Sequence, residues 1–440
     1  MLVATASVLG CVLHAQESSL LPPELTLDQA IQIAIEHSLP LTIAKLDVTK
    51  SQLQVAESKA RRFPESSIDL FAAGNLTSPT FSYKKGVFGT LNGLPNPSTD
   101  VSVNLSSGVT GYITASVAQP ITQLYKIHLV IREQELSVDF ATQKSREKEQ
   151  SVVANVKQAY YAILQTESAL TAQKALVKQY QETDRVVSQY IAQESLLLSE
   201  SLDVKAKLAQ AEHQIAVLND DLDTQKERLN DLLSRDLDTP FRVESTPPVT
   251  SEQLDLKLAR QTALRQRPEV KEAEIDVSKA DYDRRLAKAQ FIPDVGAAVR
   301  YFSPINTEIL PQNIASAGLA LTWEPFDWGR RRDQVKQKDI TEQQSSYQLQ
   351  DVRSKVILDV DKTFRKLQES RSLLTVAQAA RVASNEKLRE VSDQFNQSAV
   401  LLRDVLQQQA AVANANHEYE ESLLSLLNAT AEFEKALGED

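Results

Sequence analysis

The chain has 440 residues and a formal net charge of −11, with only 11 glycines and 16 prolines. This composition is typical of long helices and argues against a row of ordinary globular domains. The acidic balance argues against a nucleic-acid partner, because phosphate binding needs a concentrated basic surface. No stretch of eighteen apolar residues occurs, so a role in a membrane would have to use β-strands.

The N-terminal segment has the pattern of an export signal. Residues 1–15 are mostly apolar, and a polar linker follows over 16–24, which predicts a secretory signal peptide. Cleavage after Ala15 is one alternative. Cleavage before Cys11 in a lipobox-like context, which would make the protein a lipoprotein, is another, and a buried N-terminal helix is the third. Cys11 is the lone cysteine, so an internal disulfide is impossible.

The remainder of the chain is an internal tandem repeat. Residues 25–64 align without a gap with 254–293, and 193–233 align with 397–437. The first copy is longer in its middle by about 25 residues, which fall in the Gly-, Pro- and Asn-rich segment 79–100, a predicted loop or short hairpin. The predicted units are a first repeat over 25–238, an inter-repeat linker over 239–253 and a second repeat over 254–440.

Each copy begins with an amphipathic helix, which Thr26 caps in the first copy. Breaks are predicted at Leu39-Pro40 and at Arg267-Pro268. Later in each copy a helix without proline or glycine is predicted, and at about 1.5 Å per residue it spans on the order of 100 Å. Such length predicts coiled-coil-like packing against neighbouring helices. The long helices are predicted at about 124–193 and 330–395, and the helices that return alongside them at about 200–233 and 402–437.

Four short segments alternate apolar and polar residues with a period of two, at 68–72, 112–117, 295–301 and 317–323. Their polar positions carry Asp69, Thr114, Ser116, Arg300 and Thr322. This alternation is typical of barrel strands with lipid outside and water inside, and equally of a soluble antiparallel sheet. Tyr301 and Trp323, near strand ends, would suit an interfacial aromatic girdle.

A proline stands at each place where a helix meets a strand: Pro64, Pro120, Pro293 and Pro325. Proline there stops either hydrogen-bond ladder from continuing, so we predict four fixed barrel–helix elbows. Four strands are too few to close a barrel, and an open edge facing lipid is forbidden. A membrane-spanning form must therefore be an oligomer. The run Arg330–Arg332 could meet anionic lipid head groups at this junction or be a solvated helix start.

The order and spacing of these segments resemble the TolC-like outer membrane efflux family over residues 25–438. The resemblance is carried by the copy starts LTLDQAIQIA and LDLKLARQTA, the strand exits QPI and EPFDWGRRR, and the ends RDVLQQQAAVANANHEY and ATAEFEKALG. It implies a mainly α protein with a small β part, in which an α-helical barrel is continuous with a transmembrane β-barrel. Each protomer of a homotrimer would supply four strands and two long helical hairpins.

The same resemblance implies an exit duct in the outer membrane that reaches into the periplasm. Its partners would be outer membrane lipid, a periplasmic adaptor and an inner-membrane pump, within a tripartite efflux or type I secretion system. Export of small molecules or proteins would be passive in this chain. The main alternative is a periplasmic coiled-coil adaptor or scaffold without a pore.

Family resemblance also points to the periplasmic tip, between each long helix and the returning one. Asp404 matches the first aspartate of the family pattern there, while Gln407 replaces the second; the first copy has Glu200 and Asp203 at the two acidic positions. These side chains would form a pore constriction, in which three like charges repel one another. The alternative is a solvated acid at a helix start. The five histidines show no ligand spacing, and the sequence predicts no metal, cofactor or catalytic residue.

Overall fold

The computed structural model describes residues 23–74, 76, 80–104, 109–192, 198–244, 255–306, 311–397 and 399–439. The predicted signal peptide, Cys11 and most of the two predicted linkers lie outside these residues. Among the described residues, no helix has the length and apolar character needed to cross a membrane. The chain divides into two compact units, unit 1 (residues 1–45, 144–271 and 352–440) and unit 2 (46–143 and 272–351).

The elements follow the predicted order in both copies, so the internal repeat is confirmed. The first copy contains β1 (Glu24–Leu25), α1 (Leu27–His37), α2 (Leu39–Ala60), β2 (Glu65–Gly74), β3 (Thr80–Tyr83), β4 (Thr90–Leu91), β5 (Leu94–Pro95), β6 (Val101–Asn104), β7 (Val109–Pro120), α3 (Gln123–Ala192) and α4 (Leu198–Leu232). The second contains β8 (Arg242–Val243), α5 (Leu256–Gln266), α6 (Pro268–Ala289), β9 (Asp294–Ile305), β10 (Ile314–Thr322), α7 (Arg330–Asn396) and α8 (Leu402–Leu437).

The start of the first copy forms as its sequence predicts. Thr26 accepts a hydrogen bond from the backbone N–H of Gln29 at 3.2 Å, and the Gln29 side chain accepts one from the N–H of Thr26, which makes a capping box. The first break lies at Ser38, one residue before the predicted Leu39-Pro40, because Pro40 is tolerated in the first turn of α2, where its missing N–H has no intrahelical partner.

Unit 1 holds a core built from α1, α3 and α4 around the short parallel pair β1–β8. Ala30 and Ala34 of α1 belong to this core together with Tyr160 of α3, which is 1% exposed. The Tyr160 hydroxyl lies 2.9 Å from the carbonyl oxygen of Leu25 and 2.7 Å from that of Glu244, and its single proton satisfies one of them at a time. Burial raises the pKa of Tyr160 to about 12. This tyrosine therefore fastens β1 and the end of β8 to the long helix.

The C-terminal end of α8 also lies in unit 1, where Gly438 ends the helix at a φ of +82°. Its carbonyl oxygen accepts hydrogen bonds from Arg146 at 3.1 Å and Gln150 at 2.9 Å. A Cβ at Gly438 would lie 2.9 Å from the backbone nitrogen of Arg267. Both the conformation and the close approach therefore require glycine here.

Unit 2 contains an antiparallel sheet in the order β10-β9-β7-β2, with strands of 9 to 12 residues. The four strands are the four predicted alternating segments, each longer by a few residues, although β10 ends one residue before the predicted Trp323. The predicted loop at 79–100 contains the antiparallel pair β4 with β5 and the strand β3, whose partner β6 begins at Val101, directly after the segment. The short-hairpin alternative is therefore confirmed for this segment.

Candidate functional site

The register of the four-stranded sheet places most large aliphatic side chains on one side, which also carries Ser66, Gln119 and Ser303. Pairing brings Ile68 opposite Ala115, and Ala115 opposite Tyr301, so these side chains share one side of the sheet. We call this side the apolar face, formed by Ile68, Leu70, Ala72, Ile113, Ala115, Val117, Val295, Ala297, Val299, Tyr301, Ala315, Ala317, Leu319 and Leu321. The opposite side, which we call the polar face, carries Glu65, Ser67, Asp69, Thr110, Thr114, Ser116, Asp294, Arg300, Ser316 and Thr322, together with Phe71, Ala73, Tyr112, Ala118, Ala298, Phe302, Ile314 and Ala320. The five polar residues singled out in the sequence all lie on it.

The apolar face is uncovered in a single chain. Ile68 is 80% exposed, Leu319 77% and Leu70 69%. A contiguous apolar surface of this kind marks contact with lipid or with another chain. Within the described part of the chain, β2 pairs with β7 alone and β10 with β9 alone, so both sheet edges are open.

The two predicted girdle residues lie near opposite ends of the sheet. Tyr301 is on the apolar face, and its hydroxyl donates to the side chain of Asn313, just before β10. Trp323 follows the last residue of β10 and is 59% exposed. Phe326 and Trp328, 84% and 100% exposed beside Trp323, were not predicted as girdle residues, although the segment EPFDWG contains both. An interfacial role for this aromatic group remains a prediction.

The structure places all four predicted elbow prolines at helix–strand junctions. Pro64 and Pro293 directly precede β2 and β9, Pro120 is the last residue of β7, and Pro325 follows β10 by three residues. The Pro64 and Pro120 junctions are tied together, because the side-chain amide of Gln119 donates to the carbonyl oxygen of Arg62 at 3.0 Å.

Thr122 joins the Pro120 and Pro293 junctions. Its hydroxyl donates to the carbonyl oxygen of Pro293 and accepts from the N–H of Val295, both at 2.8 Å. Four residues on, the Lys126 ammonium lies 2.7 Å from the carboxylate of Asp294. No local sequence pattern predicts these contacts, because the partners are more than 160 residues apart.

The Pro325 junction leads into α7 through a charged turn. The Asp327 carboxylate accepts the backbone N–H groups of Arg331 and Gly329, and these hydrogen bonds hold its pKa below the usual range. Arg330 and Arg331 lie 2.6 and 2.8 Å from the carboxylate of Glu324. Arg332 lies 3.4 Å from the carboxylate of Asp333, so all three arginines considered for lipid head groups already have a partner within the chain.

The tip residues have local partners within one chain. Asp404 lies in the first turn of α8, and its carboxylate accepts the N–H of Leu401 at 3.1 Å. Asp203 is 63% exposed and pairs with Lys207 at 2.9 Å, an interaction that raises the pKa of Lys207. The backbone of Glu200 lies in the first turn of α4, but its side chain is outside the described part. The constriction remains a prediction, and the helix-start alternative has direct contacts in its favour for Asp404.

The chain is similar to known proteins over most of its length. A family model described as "Outer membrane efflux protein" matches residues 30–235 and 259–439, one segment for each copy. None of the curated proteins compared with the chain is significantly similar to it in sequence.

Solved structures of outer membrane channels have the same fold. The CmeC channel of Campylobacter jejuni is similar with a TM-score of 0.75 at 15% identity, over 94% of this chain and 85% of that one. VceC of Vibrio cholerae gives 0.72 at 16%, over 94% and 96%, and the open state of MtrE of Neisseria gonorrhoeae gives 0.71 at 16%, over 94% and 89%. Together with the family model, which covers most of both copies, these likenesses confirm the family resemblance noted in the sequence. The chain belongs to the outer membrane efflux protein family.

Proposed function

We propose that this chain is the outer-membrane exit duct of a tripartite efflux or type I secretion system. The observation that carries the proposal is the separation of the sheet into an exposed apolar face and a polar face. In a bilayer the apolar face meets hydrocarbon, and the polar face lines a water-filled path for small molecules or proteins. The duct is passive, and a partner pump supplies the energy.

For a closed wall we propose three copies of the chain, the number that the family resemblance implies. Neighbouring strands alternate in direction, so β2 and β10, at the two edges, run antiparallel to each other. The β10 edge of one copy can therefore continue into the β2 edge of the next with the same antiparallel pattern. Three copies give about twelve strands, enough to close a barrel and leave no edge in lipid. A periplasmic adaptor and an inner-membrane pump complete the assembly by family analogy.

The alternative of a periplasmic adaptor or scaffold without a pore accounts less well for the sheet. Such a protein has no need of an apolar face on which Ile68 and Leu319 are each more than three-quarters exposed. In water this surface would favour aggregation, whereas in a bilayer its exposure stabilises insertion.

Fractionation of the native host's envelope tests the proposal. We expect the full-length protein in the outer-membrane fraction, soluble only in detergent, as a trimer that becomes monomeric on heating in SDS. A detergent-free monomer in the periplasmic fraction would support the scaffold and contradict the duct. Mass spectrometry of the mature N-terminus separates cleavage after Ala15 from lipidation at Cys11, and co-purification with a pump identifies the system.

The tip constriction is proposed at Asp404, with Glu200 and Asp203 of the first copy. Three Asp404 carboxylates around one axis would attract cations and raise the barrier for anions. Because Asp404 also accepts the N–H of Leu401, alanine would remove both the charge and the cap. Asp404→Asn removes the charge and retains an acceptor, and in planar bilayers we expect it to reduce cation preference and increase conductance. Unchanged conductance and ion selectivity in Asp404→Asn would leave Asp404 as a capping residue alone.

A further inference from the structure

Three aromatic side chains form a connected group on the polar face of the sheet. Phe71 and Tyr112 are paired residues of β2 and β7, with ring centroids 5.3 Å apart and an interplanar angle of 27°. Tyr112 lies 5.7 Å from the ring of Phe302 on β9, at 34°. We call these residues the aromatic trio. They lie toward the sheet end where β2 ends and β7 begins.

The trio is exposed on a face that also carries hydroxyl and charged groups, and Ile314 lies opposite Phe302 there. Phe71 is 52% exposed and Tyr112 39%, and Phe302 is half-buried. Aromatic pairs across neighbouring strands stabilise a sheet, which accounts for the stacking. It does not account for leaving ring surface open to water beside the polar side chains of Asp69 and Thr114.

A carboxylate stands beside the rings. Asp69 precedes Phe71 by two residues on the same face, and pairing places Asp69, Thr114 and Phe302 side by side across three strands. The hydroxyl of Ser67 lies 3.3 Å from the Asp69 carboxylate. Arg300 is on the same face two residues from Phe302, but by strand spacings it is about 14 Å from Tyr112 and about 17 Å from Phe71. By the same spacings Asp69 lies about 7 Å from Phe71 and about 8 Å from Tyr112, so its carboxylate is the nearer charge at these two rings.

Open aromatic faces next to a carboxylate are the chemistry that recognises an organic cation. The ring quadrupole and the carboxylate both attract positive charge, and the ring faces stack on planar apolar groups. We propose that the aromatic trio and Asp69 form a binding site for amphipathic aromatic cations on the polar face of the sheet. The site rests on the proposed function in one respect, because only in a duct does this face line the cargo's path. Each trimer would carry three such sites near the outer end of the duct.

Equilibrium binding to the full-length protein, purified in a non-ionic detergent, tests the site. The probe is ethidium, a planar aromatic cation whose fluorescence rises when it leaves water. We expect Tyr112→Ala and Phe71→Ala each to raise the ethidium Kd about tenfold, and Tyr112→Phe, which keeps the ring, to stay within about twofold of the original protein. Phe88→Ala is the matched control, because Phe88 is an exposed ring of the hairpin segment outside the four-stranded sheet and should leave binding unchanged.

Asp69→Asn tests the site independently of the ring variants, which could fail to fold. Asp69 is exposed, and asparagine preserves the shape of its side chain. At low salt we expect this variant to weaken ethidium binding about fivefold, and the difference from the original protein to shrink at high salt. Ethidium affinities in Asp69→Asn and in folded ring variants equal to that of the original protein would overturn the site and leave the trio as a sheet contact only.

Conductance in planar bilayers separates failure of this site from failure of the duct. If the original protein conducts but binds ethidium no more tightly than the Asp69→Asn variant, the result contradicts the site and supports the duct. Binding that depends on the trio and on Asp69, in a protein that never conducts, supports the site and contradicts the duct.

Discussion

Two neighbouring residues of β7 allow the orientation of the sheet to be tested with one substitution type. Ile113 and Thr114 are adjacent near the middle of the 12-residue strand Val109–Pro120 and lie on opposite faces. In the proposed duct Ile113 meets hydrocarbon and Thr114 meets water. Ile113→Lys therefore places a charge in lipid, whereas Thr114→Lys places the same charge in the water-filled interior.

The expected difference between the two variants is large enough to measure. A lysine facing lipid near the bilayer midplane costs about 2–4 kcal/mol, and the cost falls to about 0–1 kcal/mol where the side chain reaches water. We therefore expect Ile113→Lys to lower the free energy of unfolding by ~2–3 kcal/mol per chain and Thr114→Lys by less than ~1 kcal/mol. A 2 kcal/mol loss lowers the folded-to-unfolded ratio about thirtyfold.

Urea titration of the full-length protein with lipid vesicles measures this difference, with the heat-modifiable band and tryptophan fluorescence as independent readouts. Equal losses in the two variants, or a larger loss for Thr114→Lys, would refute the assignment of the apolar face to lipid. A soluble sheet packed against protein on its apolar side would lose stability in Ile113→Lys without any need for vesicles. Folding of the original protein in the absence of lipid or detergent is therefore the control.

Three further predictions concern stability. Gly438→Ala should lower the free energy of unfolding by about 2–4 kcal/mol, because it combines the strain of a φ of +82° with contact against the Arg267 backbone. Gly89→Ala, at a φ of +84° with open space around it, should lower it by only ~1–2 kcal/mol. Equal losses in thermal unfolding would contradict a contribution from packing at Gly438. Tyr160→Phe should lose ~1–2 kcal/mol, since a buried carbonyl oxygen loses its donor, and an unchanged free energy of unfolding would contradict that role. Burial raises the pKa of Glu167 although Lys226 opposes the shift, so ionisation of Glu167 lowers the stability of the protein as pH rises through the folded-state pKa. Glu167→Gln should therefore raise the Tm at neutral pH but not below the ordinary glutamate pKa. A Tm difference that does not depend on pH would contradict this linkage.

Local patterns predicted most of the fold because each element carries its own signal. Long runs without glycine or proline predicted α3 and α7 within two residues at each end. Period-two alternation predicted the four strands and the face of Asp69 and Arg300, since side chains of a strand alternate whatever its partners are. Ser38, rather than Leu39-Pro40, ends α1, because a proline is compatible with the first turn of the following helix.

Features that depend on pairing between distant segments were not predictable from these patterns. The Thr122 hydroxyl and the Lys126 ammonium meet residues of the second copy only because β7 pairs with β9. The aromatic trio likewise requires the register of three strands, and nothing in the sequence near Phe71 indicates that Tyr112 will be its partner. One chain alone shows a capping role for Asp404, whereas a ring of carboxylates involves other copies.

Disulfide trapping between copies tests the central claim, which is that one chain completes its sheet with the edges of identical chains. In a Cys11→Ser background, Ala72→Cys on β2 is combined in turn with Ala315→Cys, Ala317→Cys or Leu319→Cys on β10, all on the apolar face. The two edges of one chain are separated by β7 and β9, so a disulfide between them must join different copies. We expect at least one combination to give covalent dimers and trimers in membranes under oxidising conditions. Monomers alone at every combination, from protein that is folded and in the outer membrane, would contradict the account.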